Sequence, residues 1–239
     1  MRSNNKKTNE YEIKGKKRNK KDKKKHSKLK KVILIIFITL VIIGLTGIGI
    51  FAGIFFSDKW KITKEDVVIG YNNTTVYDSE GKFLCELSGD ENRKIISLAD
   101  MGKYIPKAFV AIEDERFEKH SGVDLKRTAG AIVNFIIHRG KSSYGGSTIT
   151  QQLVKNMMKE DEDEGLAGVR RKIREWSRAY QIEQMLSKNQ ILETYLNQVF
   201  MGGGTNIYGV EKASKYYFNK SASELTLAEA AFLAGINRA

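Results

Sequence analysis

Lys107-Ala108-Phe109-Val110-Ala111-Ile112-Glu113-Asp114-Glu115-Arg116-Phe117 is the stretch on which the fold and the chemistry both turn. Phe109, Val110, Ile112 and Phe117 are spaced so that one helical face can be apolar. Glu113, Arg116 and His120 follow at i, i+3 and i+7, and share a side if the helix persists. Glu113 falls beside the apolar residues, where partial burial would make it a competent base near neutral pH. Taken alone, an acid in a Glu-Asp-Glu-Arg run is more often a solvated helix face.

Downstream, helical periodicity continues from Ile105 to Ala239, and the only proline is Pro106, so no later residue forbids a long helix. The expected fold is mainly α. Ser187-Lys188-Asn189-Gln190 and Thr226-Leu227-Ala228-Glu229 both fit the capping-box pattern. After the first, Ile191, Leu192, Tyr195, Leu196 and Val199 form one stripe for burial. After the second, Leu227, Ala230, Ala231 and Ala234 suit close helix packing.

Upstream, residues 63–97 carry short β-prone runs: Asp66–Gly70, Thr74–Tyr77 and Lys82–Leu87, with a hairpin turn expected around Glu80-Gly81. They read as a small strand-rich stalk, residues 57–97, ahead of a domain at 98–239. Before it, Val32–Phe56 runs twenty-five residues without a charge, long enough to span a bilayer. Its length and flanks fit a retained anchor (32–56) better than a cleaved signal peptide, and Trp60 suits the interface.

The net charge of +13 might point to nucleic acid, but it sits at one end. Residues 1–31 hold fifteen Lys/Arg against three acids, leaving 26 cations and 25 acids beyond Lys31. A nucleic-acid partner therefore loses its support. The basic tail (1–31) reads as disordered and laid against anionic lipid, and the positive-inside rule puts it in the cytoplasm with residues 57–239 outside. Cys85 is the only cysteine, which excludes an intrachain disulfide and a cysteine-based metal site.

Two further motifs carry chemistry. Tyr144-Gly145-Gly146-Ser147-Thr148-Ile149-Thr150-Gln151-Gln152 places two glycines and hydroxyl residues before a helical run, where backbone N–H groups could receive phosphate oxygens and Lys155 could add a cation. An ordinary N-cap after a permissive turn explains the same spacing. Arg170-Arg171-Lys172-Ile173-Arg174-Glu175 offers four cations and an acid, with Arg171, Arg174 and Glu175 on one helical side. Surface i,i+4 pairing is the plain alternative.

Glu113-Asp114-x-x-Phe117-x-x-His120-x-Gly122-x-Asp124, Gly145–Gln152 with Lys155, Arg171-Lys172-x-x-Glu175 and Ile191-Leu192-Glu193-x-Tyr195-Leu196-Asn197 together resemble the successive motifs of the family 51 peptidoglycan glycosyltransferases. Order and approximate spacing match, from about Val76 to the end. The resemblance implies a lysozyme-like, bilobed helical domain with a membrane-proximal lobe. It implies polymerisation of lipid II, with an undecaprenyl-diphosphate-linked glycan strand as donor and the N-acetylglucosamine 4-hydroxyl as acceptor. Glu113 would be the base, assisted by Asp114, with inversion at the anomeric carbon. Lys155, Arg170, Arg171, Lys172 and Arg174 would neutralise the leaving diphosphate, helped by Ser147, Thr148, Gln151 and Gln152. Glu175 would be the second acid, orienting those cations or holding a divalent ion such as Mg2+ or Mn2+.

Two departures stand out. Acids at 160–164 occupy a loop where some relatives place a phosphate-binding cation, for which Arg170 is the nearest substitute. The chain stops where relatives continue into further helices, so truncation is expected. The stalk is closer to class A penicillin-binding proteins than to most monofunctional enzymes. A lytic enzyme of the same fold and an inactive scaffold for other wall-synthesis proteins are the alternatives. Ser27-Lys28-Leu29-Lys30, a Ser-x-x-Lys tetrad, lies in the tail and gives no support for a second, acyl-transfer activity.

Overall fold

The computed structural model describes residues 3–67, 73–87, 89, 91–138, 145–158, 165–202 and 206–236, with side chains described at residue 28 and from residue 30 onward except at 132, 135 and 136. The chain divides into two units, Met1–Gly53 and Ile54–Ala239. The first belongs to helix α1, Ser3–Phe55. The segment Lys30–Phe55 within that helix is long and apolar enough to cross a membrane. The tail expected to be disordered is helical too. Lys and Arg are good helix formers, and extending a helix from an already helical span adds one hydrogen bond per residue ordered.

The second unit is mostly helical. After the short α2 (Lys64–Val67), strands β1 (Thr74–Tyr77) and β2 (Phe83–Leu87) pair antiparallel, with Thr74 opposite Leu87 and an irregularity between Val76 and Tyr77. The turn is where the sequence placed it. Asp78 Oδ1 accepts the amides of Glu80 (2.9 Å) and Lys82 (2.8 Å), and Gly81 supplies the positive φ of 79°. The Asp66–Gly70 run is different: Val67 closes α2, and residues 68–72 lie outside the described ones. β3 (Asn92–Arg93) pairs parallel with β4 (Ile207–Tyr208), tying the segment before the long helices to one more than a hundred residues later.

The helices are α3 (Ile105–Glu113), α4 (Leu125–Ile137), α5 (Ile149–Met158), α6 (Gly165–Met185), α7 (Lys188–Gln198), α8 (Val210–Phe218) and α9 (Leu227–Ile236). α3 packs on α9, and α5 on both α6 and α7. Ile105, Phe109, Ile149, Leu153, Ile182, Ile191, Tyr195 and Leu196 are fully buried at the centre, with Phe109 edge-on to Tyr195 at 6.2 Å. Ile62 and Val67 enter the same core.

Both capping boxes form. Ser187 accepts the Gln190 amide while the Gln190 side chain reaches back, and Glu229 accepts the Thr226 amide (2.8 Å) while the Thr226 hydroxyl accepts the Glu229 amide. The α7 stripe is buried as expected. The α9 stripe is not: Ala230, Leu233 and Ala234 face inward, while Leu227 is exposed, as is Ala231. That helix is apolar nearly all round, so periodicity could not choose its inner face.

Candidate active site

Helix α3 stops at Glu113. Asp114 caps it with φ −157° and ψ 70°, so the expected shared side of Glu113, Arg116 and His120 does not form. Arg116 Nε turns to Asp124 Oδ2 at 3.1 Å, and His120 Nε2 to Asp114 Oδ2 at 2.9 Å. The cause is local. Arg127 Nη1 donates to the Glu113 carbonyl, an acceptor that another helical turn would have used, and Asp114 Oδ2 also accepts the Ile149 amide at 3.0 Å.

The entry to α5 is equally committed. Thr148 Oγ1 donates to the Gly122 carbonyl (2.6 Å) and accepts the Gln151 amide (3.1 Å). Thr148 and Gln151 are fully buried, with Gln151 Nε2 also reaching the Gly122 carbonyl at 3.4 Å. The amides of Ile149 and Gln151, expected to receive phosphate, are thus spent on Asp114 and Thr148. Gly122 makes this possible. Its φ is +88°, and a Cβ there would lie 2.7 Å from the Ala179 carbonyl oxygen.

Glu113 lies beside a cleft of about 560 Å³, whose wall also includes Ser147, Gln152, Lys155, Asn156 and Phe200. The residue is 7% exposed, and its Oε2 accepts from Gln152 Nε2 at 2.7 Å. Tyr195 donates its hydroxyl proton to Gln152 Oε1 at 2.9 Å, which sets the orientation of that amide. Behind Ser147, Lys172 Nζ donates to Ser147 Oγ (2.9 Å) and to Glu175 Oε1 (2.6 Å), while Arg171 Nη1 stands 3.5 Å from Glu175 Oε2. Glu113, Ser147, Gln152 and Lys155 therefore share one cleft, and Ser147 links its wall to Lys172, Glu175 and Arg171.

The sequence model of the Transglycosylase family matches residues 80–239, two-thirds of the chain. The chain belongs to the transglycosylase family. Penicillin-binding protein 1A of Clostridium acetobutylicum is 48% identical over 165 residues, covering 67% of this chain and 20% of that protein. Penicillin-binding protein 1A of Clostridium perfringens is 37% identical over 237 residues (95% and 34%), and penicillin-binding protein 1F of Bacillus subtilis 38% over 200 (84% and 26%). The chain thus spans a fifth to a third of the length of these relatives.

Within this transglycosylase, Arg170 and Arg174 are held elsewhere. Their guanidinium carbons lie over the Trp60 ring, 5.9 and 4.7 Å from its centroid. The acidic stretch 160–164 and Tyr144 lie outside the described residues. A divalent cation does not fit the donor set: Glu175 is occupied by two cationic side chains, and among the described residues no three His, Cys, Asp or Glu side chains gather.

A smaller cavity of about 360 Å³ is lined by Ile112, Arg116, Asp124 and Arg127. Asp124 there is no candidate base. Burial pushes its carboxyl up, but the amides of Arg127 and Lys126, together with Arg116 and His120, hold it below the ordinary value. Arg127 itself was not singled out from sequence. It touches Glu113, stands 3.9 Å from Asp114 Oδ1, and donates from Nε to the Gly145 carbonyl at 3.1 Å. The available signal was Asp124, an N-cap residue whose helix starts one position later and brings Arg127 into its first turn.

Proposed function

We propose that this chain is a peptidoglycan glycosyltransferase that polymerises lipid II, and that Glu113 is its base. One observation carries the reading: the nearly buried side chain of Glu113, which accepts from the neutral amide of Gln152, faces a cleft that also contains Lys155 and, through Ser147, the Lys172–Glu175–Arg171 cluster. A base must gain a proton without losing its place, and cations nearby must meet the charge that leaves.

In the step proposed, the acceptor 4-hydroxyl attacks the anomeric carbon of the donor and Glu113 takes the hydroxyl proton. The new carbon–oxygen bond forms as the anomeric carbon–diphosphate oxygen bond breaks, with inversion. The electron pair leaves on the undecaprenyl diphosphate, whose charge Lys155, Arg171 and Lys172 meet. Glu175 orients the last two. Gln152 positions Glu113, while Asp114, Thr148 and Gln151 position the α5 entry from below the cleft.

We place the enzyme in a bacterial membrane as a single-pass protein with a cytoplasmic tail, the β1–β2 hairpin acting as a stalk. Leu125, Val133 and Ile137 on α4, exposed by more than half, suit the membrane-proximal lobe of a bilobed domain. Purified protein in detergent should lengthen glycan from lipid II, and Glu113→Gln should abolish this. Release of muropeptides from sacculi would instead identify a lytic enzyme, and full activity of Glu113→Gln would remove the base assignment.

A further inference from the structure

The motif Ile191-Leu192-Glu193-x-Tyr195-Leu196-Asn197 on α7 takes no part in the step proposed above. Ile191, Leu192 and Leu196 are core residues, whereas the three polar side chains reach beyond their own helix. Glu193 Oε2 accepts the Leu98 amide (2.7 Å), and Asn197 Oδ1 accepts the Ile96 amide (3.1 Å) while its Nδ2 donates to the Ile96 carbonyl (2.8 Å). These bonds lie on either side of Tyr195 in the sequence and fix α7 along its axis. Tyr195 itself is fully buried, and its hydroxyl donates to Gln152 Oε1 at 2.9 Å.

Two ties run from Tyr195 to α3. Its ring packs edge-on against Phe109 at 6.2 Å, and Phe109 lies one helical turn before Glu113 on the same side of α3. Its hydroxyl reaches Glu113 through Gln152, whose Nε2 donates to Glu113 Oε2 at 2.7 Å. The two ends of an amide are nearly equal in size and opposite in hydrogen-bonding character, and a carboxylate can only accept, so the N–H end has to face it. The phenol, by holding Oε1, keeps the amide that way round. Turned over, oxygen would meet oxygen, an arrangement a base tolerates only when it already carries a proton and so cannot act. The phenol proton would also have to find a different acceptor inside the core.

We infer that Tyr195 is a positioning residue for the proposed base: it acts through the Gln152 amide and keeps the donor end of that amide on Glu113, without touching substrate. The α7 motif thereby joins the chemistry from behind the cleft. The inference rests on Glu113 as the base. Loss of the Tyr195 hydroxyl leaves every charge around Glu113 in place: Asp114 beside it, Arg127 on its carbonyl, Lys155 in the cleft, and Arg171, Lys172 and Glu175 behind Ser147.

Tyr195→Phe removes one oxygen from the core and keeps the ring on Phe109. Assayed on lipid II with the full chain in detergent, it should lower kcat about tenfold and leave KM within about twofold, with the protein still folded by circular dichroism. If the hydroxyl acts through Gln152, the two changes must not add. Gln152→Met removes the amide at similar volume and should lower kcat about a hundredfold, and adding Tyr195→Phe to it should cost less than about twofold more. A wild-type kcat for Tyr195→Phe, or a loss seen mainly in KM, would overturn the inference, as would an equal loss from Tyr195→Phe in the Gln152→Met background. If Gln152→Met is too slow to assay, the kcat of Tyr195→Phe decides alone. Glu113→Gln in the same assay separates the two readings. An inactive Glu113→Gln beside a fully active Tyr195→Phe removes the role of Tyr195 only, whereas an active Glu113→Gln removes the base and its positioning residue together.

Discussion

Glu113 and Asp114 are neighbours in sequence and opposites in surroundings. The helix ends between them, so the first carboxylate reaches the cleft and the second turns into the body of the protein. Glu113 is contacted by the neutral amide of Gln152. Asp114 is fully buried and takes His120, the Ile149 amide and, at longer range, Arg127. A carboxylate that must take up and release a proton needs partners that survive its neutralisation. Gln152 does, because its amide can still donate to a neutral acid. The set around Asp114 does not, because it is built around a negative charge. Under the proposed function, one of the two acids in this motif serves turnover and the other holds the loop.

The sharpest way to break this contrast is to neutralise each acid in turn. Glu113→Gln should lower the rate of lipid II polymerisation by on the order of 10³-fold or more, with melting temperature unchanged, because a hydrogen bond to Gln152 is retained. Asp114→Asn should do the reverse. Loss of charge against His120 and Arg127 should destabilise the fold by about 2 kcal/mol, read as a shift in denaturant midpoint, with activity falling only as the folded fraction falls. If Asp114→Asn stays fully folded yet inactive, Asp114 belongs to the chemistry.

A smaller effect tests what keeps the two acids apart. Arg127 bonds the last helical carbonyl and the Gly145 carbonyl, joining the end of α3 to the loop before α5. Arg127→Lys keeps a charge but loses the fork, and should cost about tenfold in kcat with little change in KM. Arg127→Ala should cost more and also reduce stability. An unchanged rate in both would show that the position of Glu113 does not depend on this link.

The difference between the two acids was only half legible in the sequence. Apolar spacing through Phe109 and Ile112 was enough to place Glu113 against the core, and the capping pairs at Ser187 and Thr226 marked two helix starts correctly. Periodicity carried the helix on past Glu113, because the reason it stops is tertiary: a guanidinium from α4 and an amide from α5. The same limit applies to α6. A run of cations shows charge but not which neighbours its sides will meet, and only Trp60, more than a hundred residues earlier, separates Arg170 and Arg174 from Arg171 and Lys172. On α9 nearly every residue is apolar, so there was no contrast from which to read a face.

Glu229 gives the mildest comparison, an acid outside the cleft whose partners are Lys220 and Thr226. Lys220 is the first cause, followed by the Thr226 amide and hydroxyl, and together they bring its carboxyl down to about 2. Being depressed, it stabilises fully above the ordinary carboxylate range, where the unfolded chain is ionised as well. As pH falls below about 4.5 the unfolded chain takes the proton first, and the contribution fades until the folded carboxyl titrates near 2. The difference in melting temperature between wild type and Glu229→Gln should accordingly be constant from pH 7 to about 5 and shrink steadily below that. Measuring the difference cancels the other depressed acids, Asp124 and Glu211, which titrate in both proteins. A gap that persists unchanged at pH 2 would mean the Gln side chain fails for reasons of shape, and that the charge of Glu229 contributes nothing to the start of α9 or its link to Lys220.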